Sequence, residues 1–280
     1  MDIYVHGGVA AVAKPETHAL GFAVVQGLQT SDALDAVEAA VCALEDDQEL
    51  NAGYGSVLSR EGTLELDAGI ADGQGRFGGV IGVSVAHPIS LARRVMERTP
   101  HVLMTGPGAM TLGADMEMLK GTSDKQLLRW QQATAEGGFG EPFGSSDEID
   151  TVGAVAVDDR GGLAAGSSTG GVFGKLSGRI GDAPIFGAGV YASATAAVVG
   201  TGIGEVFLTN LASARTGFLI ERGVHPQEAC AEVVTLLGRR EPFLAALLAI
   251  DADGRVGAAF RGGDLVVEGR DGPLQPAALS

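Results

Sequence analysis

The chain has 280 residues, 45% of them hydrophobic and 19% charged, and its formal net charge is -16. That length and apolar share fit one large or two small globular domains with a full core. The negative charge repels nucleic acid and anionic membrane, which are set aside as partners.

In chain order, residues 3–6 read as a short buried strand running into Gly7-Gly8. Residues 31–45 read as a helix capped by Ser31 or Asp32, with Leu34, Val37, Val41 and Leu44 on one face. Asn51-Ala-Gly-Tyr-Gly-Ser56 breaks that pattern with turn residues. Residues 55–65 read as a hairpin closed by Arg60-Glu61-Gly62, 80–86 as a strand, and 90–98 as a helix ended by Thr99-Pro100. A short helix over 124–134 leads into a glycine-rich polar linker, so that 120–149 differs in character from what flanks it.

After the linker, 152–166 reads as strand, tight turn, strand, and the same shape returns over 247–260. Apolar strands of this kind suit a sheet buried on both faces, covered by helices over 206–221 and 226–239. Pattern alone therefore predicts α+β or α/β with antiparallel sheets. Cys42 and Cys230 lie in helix-like stretches without CxxC or metal spacing and read as small core thiols. The start, Met1-Asp2-Ile3-Tyr4-Val5-His6, does not read as a signal peptide, and no run of 18 apolar residues occurs. The expectation is a cytoplasmic protein.

A linker that runs into Asp150-Thr151 and then a strand is unusual. Thr151 is either a good strand former or, after cleavage, a new N-terminus whose hydroxyl attacks while its own amine takes the proton. An α-amino group with a pKa of about 7.7–8.0 suits that base. The five histidines are scattered and offer no Ser-His-Asp or Cys-His set. Three clusters follow: Gly166-Ser-Ser-Thr169-Gly-Gly171, Gly178-Arg179-Ile-Gly-Asp182-Ala-Pro184 and Gly200-Thr201-Gly202-Ile-Gly204-Glu205. The first is a plain loop or a hydroxyl-lined strand end. Arg179 and Asp182 are a surface ion pair, or else a clamp for a carboxylate and an ammonium. The third lacks the GxGxxG spacing of a nucleotide loop and allows a close backbone approach to an oxyanion.

Taken together and in this order, the motifs resemble the β-subunit of the plant-type L-asparaginase/isoaspartyl peptidase family. They are Asp150-Thr-Val-Gly-Ala, Ser-Thr-Gly-Gly, Gly-Arg-Ile-Gly-Asp, Gly-Ala-Gly-Val-Tyr and Thr-Gly-Ile-Gly-Glu. His6-Gly-Gly, Asn51 to Ser56, Asp67-Ala68 and Pro88 to Arg93 agree more loosely with its other half. The resemblance implies an α+β fold, a four-layer αββα sandwich of the N-terminal-nucleophile hydrolase type. It implies one domain over 1–280, cut between Asp150 and Thr151 into an α-subunit 1–150 and a β-subunit 151–280 that assemble as an (αβ)2 dimer.

By the same resemblance Thr151 is the nucleophile, Thr169 its hydroxyl partner, and Thr201 with Gly202 the oxyanion hole. Asn51 stands near the nucleophile. Arg179 takes the substrate α-carboxylate, and Asp182 with the Gly204 carbonyl takes its α-ammonium. No cofactor serves catalysis, but a structural sodium ion is implied on the carbonyls of Leu44, Glu45, Asp47, Leu50, Ala52 and Tyr54. The implied reaction releases L-aspartate from L-asparagine or β-aspartyl dipeptides. A glycosylasparaginase is the alternative, though Ser-Thr-Gly-Gly and Thr-Gly-Ile-Gly-Glu favour the asparaginase side. An uncleaved binding protein of the same fold stays open.

Overall fold

A computed structural model describes residues 1–10, 17–139, 151–238 and 244–279. Asp150 and most of the expected linker lie outside the described residues. Along the chain, β1 (Asp2–Ala10) is followed by α1 (Thr17–Leu28) and α2 (Ala33–Glu45). β2 (Leu66–Asp72) and β3 (Phe77–Val83) form a hairpin. Next come α3 (Pro88–Arg98), β4 (Leu103–Thr105), α4 (Gly106–Leu112) and α5 (Asp124–Ala135).

The second half opens with the hairpin β5 (Val152–Val157) and β6 (Leu163–Thr169), then β7 (Val190–Ala192) and β8 (Ala196–Gly202). Helices α6 (Gly204–Asn210), α7 (Ala212–Glu221) and α8 (Pro226–Leu237) follow. β9 (Ala245–Asp251), β10 (Val256–Arg261), β11 (Asp264–Gly269), β12 (Gly272–Leu274) and β13 (Ala277–Leu279) complete the described chain.

Two sheets result, ordered β12-β11-β1-β5-β6-β2-β3-β4 and β13-β10-β9-β8-β7. Their central strands have a period of two with both faces apolar. On β5, Ala154 and Ala156 face α1 to α3, together with Val37, Val41 and Ile89. Val155 and Val157 face the other sheet and meet Val199, Leu248 and Ile250. Val198, Leu247 and Ala249 turn outward to Ile220 of α7 and Val233 of α8. Three apolar clusters thus join the two sheets and their helices in a mixed α/β arrangement.

Register places the chemistry. Val152 pairs with Ser168 and Asp67 with Thr169, so Thr151 enters β5 beside the end of β6. Thr201 and Gly202 end β8 on the facing sheet.

Most predicted elements are present. Asp32 is the cap of α2, accepting the Leu34 N–H at 3.0 Å. Three expectations need correction. No strand forms over 55–65: a tight turn closes there, with the Ser59 N–H on Thr63 C=O at 3.1 Å and the Gly62 N–H on Ser59 C=O at 3.0 Å, while the flanks bond to 174–175, the Arg60 N–H to Lys175 C=O at 2.9 Å and the Gly174 N–H to Leu58 C=O at 3.0 Å. The strand expected at 80–86 runs over Phe77–Val83, because Gly78 and Gly79 lie within the ladder. The helix expected over 206–221 breaks at Leu211, whose φ of 49° is left-handed. That break lets the Ser213 and Ala214 N–H groups reach the Ala188 and Gly187 carbonyls, which satisfies two of the free donors at the start of α7.

Candidate active site

Thr151 is buried at the mouth between the sheets. Its hydroxyl donates to Thr169 Oγ1 at 3.2 Å, and its backbone nitrogen donates to Thr201 Oγ1 at 3.4 Å. Thr169 Oγ1 also accepts the Gly171 N–H at 3.0 Å. Three threonines far apart in the chain therefore meet around one hydroxyl and one nitrogen. The next residue after Thr201 must be glycine. Gly202 has φ 146°, and a methyl there would sit 2.5 Å from the Leu244 carbonyl oxygen and 2.9 Å from Phe207.

Asn51 lies beneath this group without a hydrogen bond to Thr151. Its Nδ2 donates to Gly171 C=O at 2.7 Å, and its Oδ1 accepts the Val57 N–H at 3.0 Å. It ties the 51–57 loop to the turn that carries Thr169.

Two residues beyond Gly202, Gly204 abuts the charged pair. A methyl at Gly204 would lie 2.8 Å from Arg179 Nη2 and 3.0 Å from Asp182 Oδ1. Arg179 is held by Glu205, Nε to Oε1 at 2.9 Å and Nη2 to Oε2 at 2.8 Å. Burial disfavours its charge, but the pairing with Glu205 outweighs that and raises its pKa. Asp182 is fully buried, and its Oδ2 has no hydrogen-bond partner. Burial pushes its carboxyl up to about 7, against the pull of Arg179. An unpartnered buried carboxylate oxygen beside a guanidinium is costly unless something cationic arrives.

Residues whose importance the sequence concealed surround this pair. Glu205 aligns Arg179. Asp67 is buried with a raised pKa, and accepts the Gly82 and Gly181 N–H groups at 2.9 and 3.3 Å. Lys175 is buried, its pKa lowered by desolvation against the pull of Asp67, and its Nζ donates to Glu65 C=O. His6 is also buried, and burial lowers its pKa to about 4; only the Thr151 backbone opposes that. Short stretches such as Gly174-Lys175-Leu176 read as turns, so nothing local marks Lys175.

The carbonyl set implied for sodium lies around the 44–55 loop. The Leu44, Leu50, Ala52 and Tyr54 oxygens each accept one backbone N–H, from Asp47, Ala52, Gly55 and Ser123. The Tyr54 oxygen also accepts the Thr122 hydroxyl at 3.4 Å, and the other three keep a second lone pair. A methyl on Gly55 would collide with the Leu50 carbonyl oxygen and lie 2.8 and 2.9 Å from those of Gln48 and Asp47. Three carbonyl oxygens, those of Leu50, Gln48 and Asp47, thus crowd around Gly55.

No helix of the described residues is long and apolar enough to cross a membrane. Comparison with known proteins adds the following. The asparaginase family model matches residues 6–271. An isoaspartyl peptidase of Salmonella typhimurium is 40% identical over 92% of this chain and 91% of its own. A plant-type L-asparaginase of Thermococcus kodakarensis is 37% identical, with 92% of each chain covered. The human isoaspartyl peptidase/L-asparaginase is 37% identical over 89% of this chain and 81% of its own.

Proposed function

The chain belongs to the asparaginase family, and from that premise we propose that it is a hydrolase releasing L-aspartate from L-asparagine and β-aspartyl dipeptides, with Thr151 as nucleophile. The observation that carries this reading is the end of β8. Thr201 touches the Thr151 nitrogen, and Gly204, three residues on, touches both Arg179 and Asp182. One short backbone run of this kind supports the reading, because it would hold a nucleophile at a fixed offset from a clamp for an amino-acid end.

Maturation starts with the Thr151 hydroxyl attacking the Asp150 carbonyl. The peptide C–N bond breaks as the acyl group moves to oxygen, which frees the Thr151 amine, and water then opens the ester, freeing the Thr151 hydroxyl and the Asp150 carboxylate. One domain over 1–280 thereby becomes an α-subunit 1–150 and a β-subunit 151–280. The αββα four-layer sandwich and the (αβ)2 assembly of such hydrolases follow from the same reading, as does a cytoplasmic location.

In turnover the substrate α-carboxylate meets the Arg179 edge that Glu205 leaves free, and the α-ammonium meets Asp182 Oδ2 and the Gly204 carbonyl. Thr151 Oγ1 attacks the side-chain amide carbon while the α-amine takes its proton. The tetrahedral oxyanion rests on the Thr201 hydroxyl and the Gly202 N–H, each such donor being worth roughly 3 to 4 kcal/mol. The C–N bond then breaks, the leaving nitrogen takes the proton, and ammonia or an amino acid departs. Water, deprotonated by the same amine, opens the Thr151 ester and releases aspartate. Thr169, holding the hydroxyl at 3.2 Å, keeps it aimed. A sodium ion on the carbonyls of Leu44, Glu45, Asp47, Leu50, Ala52 and Tyr54 would order the loop that carries Asn51 and take no part in bond breaking.

The test is Thr151→Ala. It abolishes both chain cleavage and release of aspartate while leaving the fold intact by circular dichroism. A Thr151→Ala protein that is cut and active contradicts the assignment.

A further inference from the structure

Away from the cleft, the end of α2 and the start of α3 bring together three side chains of different chemistry. Cys42, Glu45 and His87 place a sulfur, a carboxylate oxygen and a ring nitrogen within 4.8 Å of one another. We infer that this junction binds one divalent cation of the zinc class, with Cys42, Glu45 and His87 as its protein ligands.

The donor set argues the class. One thiolate, one imidazole and one carboxylate suit a borderline-soft ion, whereas magnesium or calcium takes oxygen alone. A thiolate and a carboxylate together also balance a 2+ charge. Ligand bonds of about 2.0–2.3 Å put donors in a tetrahedral shell closer than the observed spread. The ring of His87, with a third of its side chain exposed, is the group free to close that gap.

Glu45 is the second and independent observation. It is wholly buried, its Oε1 accepts the Ile89 N–H at 3.1 Å, and its Oε2 makes no hydrogen bond. Ser168 stands near its strand side and eases the charge, yet Ser168 Oγ is also without a hydrogen bond. A buried carboxylate oxygen left in this state awaits a partner.

Neighbouring groups complete the surroundings. Ser90 Oγ lies 3.3 Å from Cys42 Sγ, and Asp46 Oδ1 lies 2.9 Å from His87 Nε2, bringing a second carboxylate to the exposed edge. Cys42 and His87 are partly exposed, which gives an ion and its water a way in. Cys42 binds as the thiolate, so its proton leaves as the ion enters. The site differs from the sodium loop, where main-chain carbonyls are the donors: Glu45 gives its carbonyl to one and its carboxylate to the other. An ion here staples α2 to α3 at the root of the loop leading to Asn51.

The experiment uses the tag-free full protein after chelator treatment, titrated with cobalt(II) and then zinc(II). The expected result is one cobalt per chain, a thiolate-to-cobalt charge-transfer band displaced by zinc, and proton release. Cys42→Ser loses the band, Cys230→Ser keeps it, and His87→Gln weakens binding by at least about tenfold. Because Cys42→Ser is free to fail for reasons of folding, alkylation of the wild-type protein is mapped by mass spectrometry with and without zinc, and zinc protects Cys42. No thiolate band in the wild type, a band that survives in folded Cys42→Ser, or Cys42 alkylation indifferent to zinc each overturns the site.

Discussion

Glu205 grips Arg179 through two parallel hydrogen bonds, at 2.9 and 2.8 Å, from the first turn of the helix that follows Thr201-Gly202. The guanidinium plane is therefore fixed by the same segment that reaches the Thr151 nitrogen. Bidentate pairing of this kind supplies geometry as much as energy. Replacing Glu205 by Gln leaves one acceptor and a looser fork. Steady-state kinetics on asparagine then show KM raised by about tenfold, or about 1.4 kcal/mol of binding, with kcat changed much less. A fall in kcat with KM untouched would show that Glu205 acts on the chemistry and not on the clamp.

Asp182 makes both stability and activity depend on pH. Its folded pKa of about 7 stands above the unfolded value. Folding therefore favours the protonated acid. That contribution is fully present below about pH 4 and is lost as pH rises through about 7. Removing the charge with Asp182→Asn relieves up to about 4 kcal/mol of buried charge above pH 7 and nothing near pH 4. Melting temperatures across that range, in the absence of substrate, show the variant gaining on the wild type as pH rises. The same charge receives the substrate ammonium, so wild-type kcat/KM falls as pH drops below about 7, which reports the free enzyme. A variant that is more stable at high pH yet as active as wild type would remove Asp182 from the substrate site.

Asn51 predicts a stability cost with a catalytic echo. Asn51→Ala strands the Gly171 carbonyl and the Val57 N–H, both buried partners of its amide. Chemical denaturation shows a loss of about 2–4 kcal/mol. The turn bearing Thr169 loosens with it, so kcat drops as well. Activity lost without any loss of stability would mean that Asn51 touches the reacting groups directly.

Leu211 is half exposed and left-handed, with φ 49°, at the joint between α6 and α7. A side chain there costs roughly 1–2 kcal/mol that glycine does not. Glycine gives part of this back in backbone entropy. Leu211→Gly therefore raises the urea midpoint by an amount worth about 0.5–1 kcal/mol. An unchanged or lower midpoint shows that the leucine side chain contributes more than its strained backbone costs.

Legibility in the sequence follows the range of the interactions. Asp32 and the apolar face of α2 are local signals, and that helix is present within two residues of the expected start. The hairpin of β5 and β6 is equally local. The break at Leu211 carries no glycine or proline, so a continuous helical period conceals it. The segment at 55–65 has the composition of a hairpin and closes a turn between Ser59 and Thr63, but Leu58 and Arg60 bond to partners more than a hundred residues away at 174–175. Separation along the chain, short or long, likewise hides Glu205 and Asp67 as neighbours of Arg179, and His87 as a neighbour of Cys42 and Glu45. Thr151, Thr169 and Thr201 were legible as motifs. Their meeting around one hydroxyl depends on two strand ends from different sheets, which periodicity does not specify.

The most direct measurement is a denaturing gel of the purified protein with N-terminal sequencing of every band. Cleavage at Asp150-Thr151 divides 28.3 kDa in the proportion 150 to 130 residues, into fragments of about 15 and about 13 kDa. The account predicts these two bands, the smaller beginning Thr-Val-Gly-Ala. A single full-length band from a preparation that hydrolyses asparagine would contradict it, because Thr151 would then have no free amine with which to act.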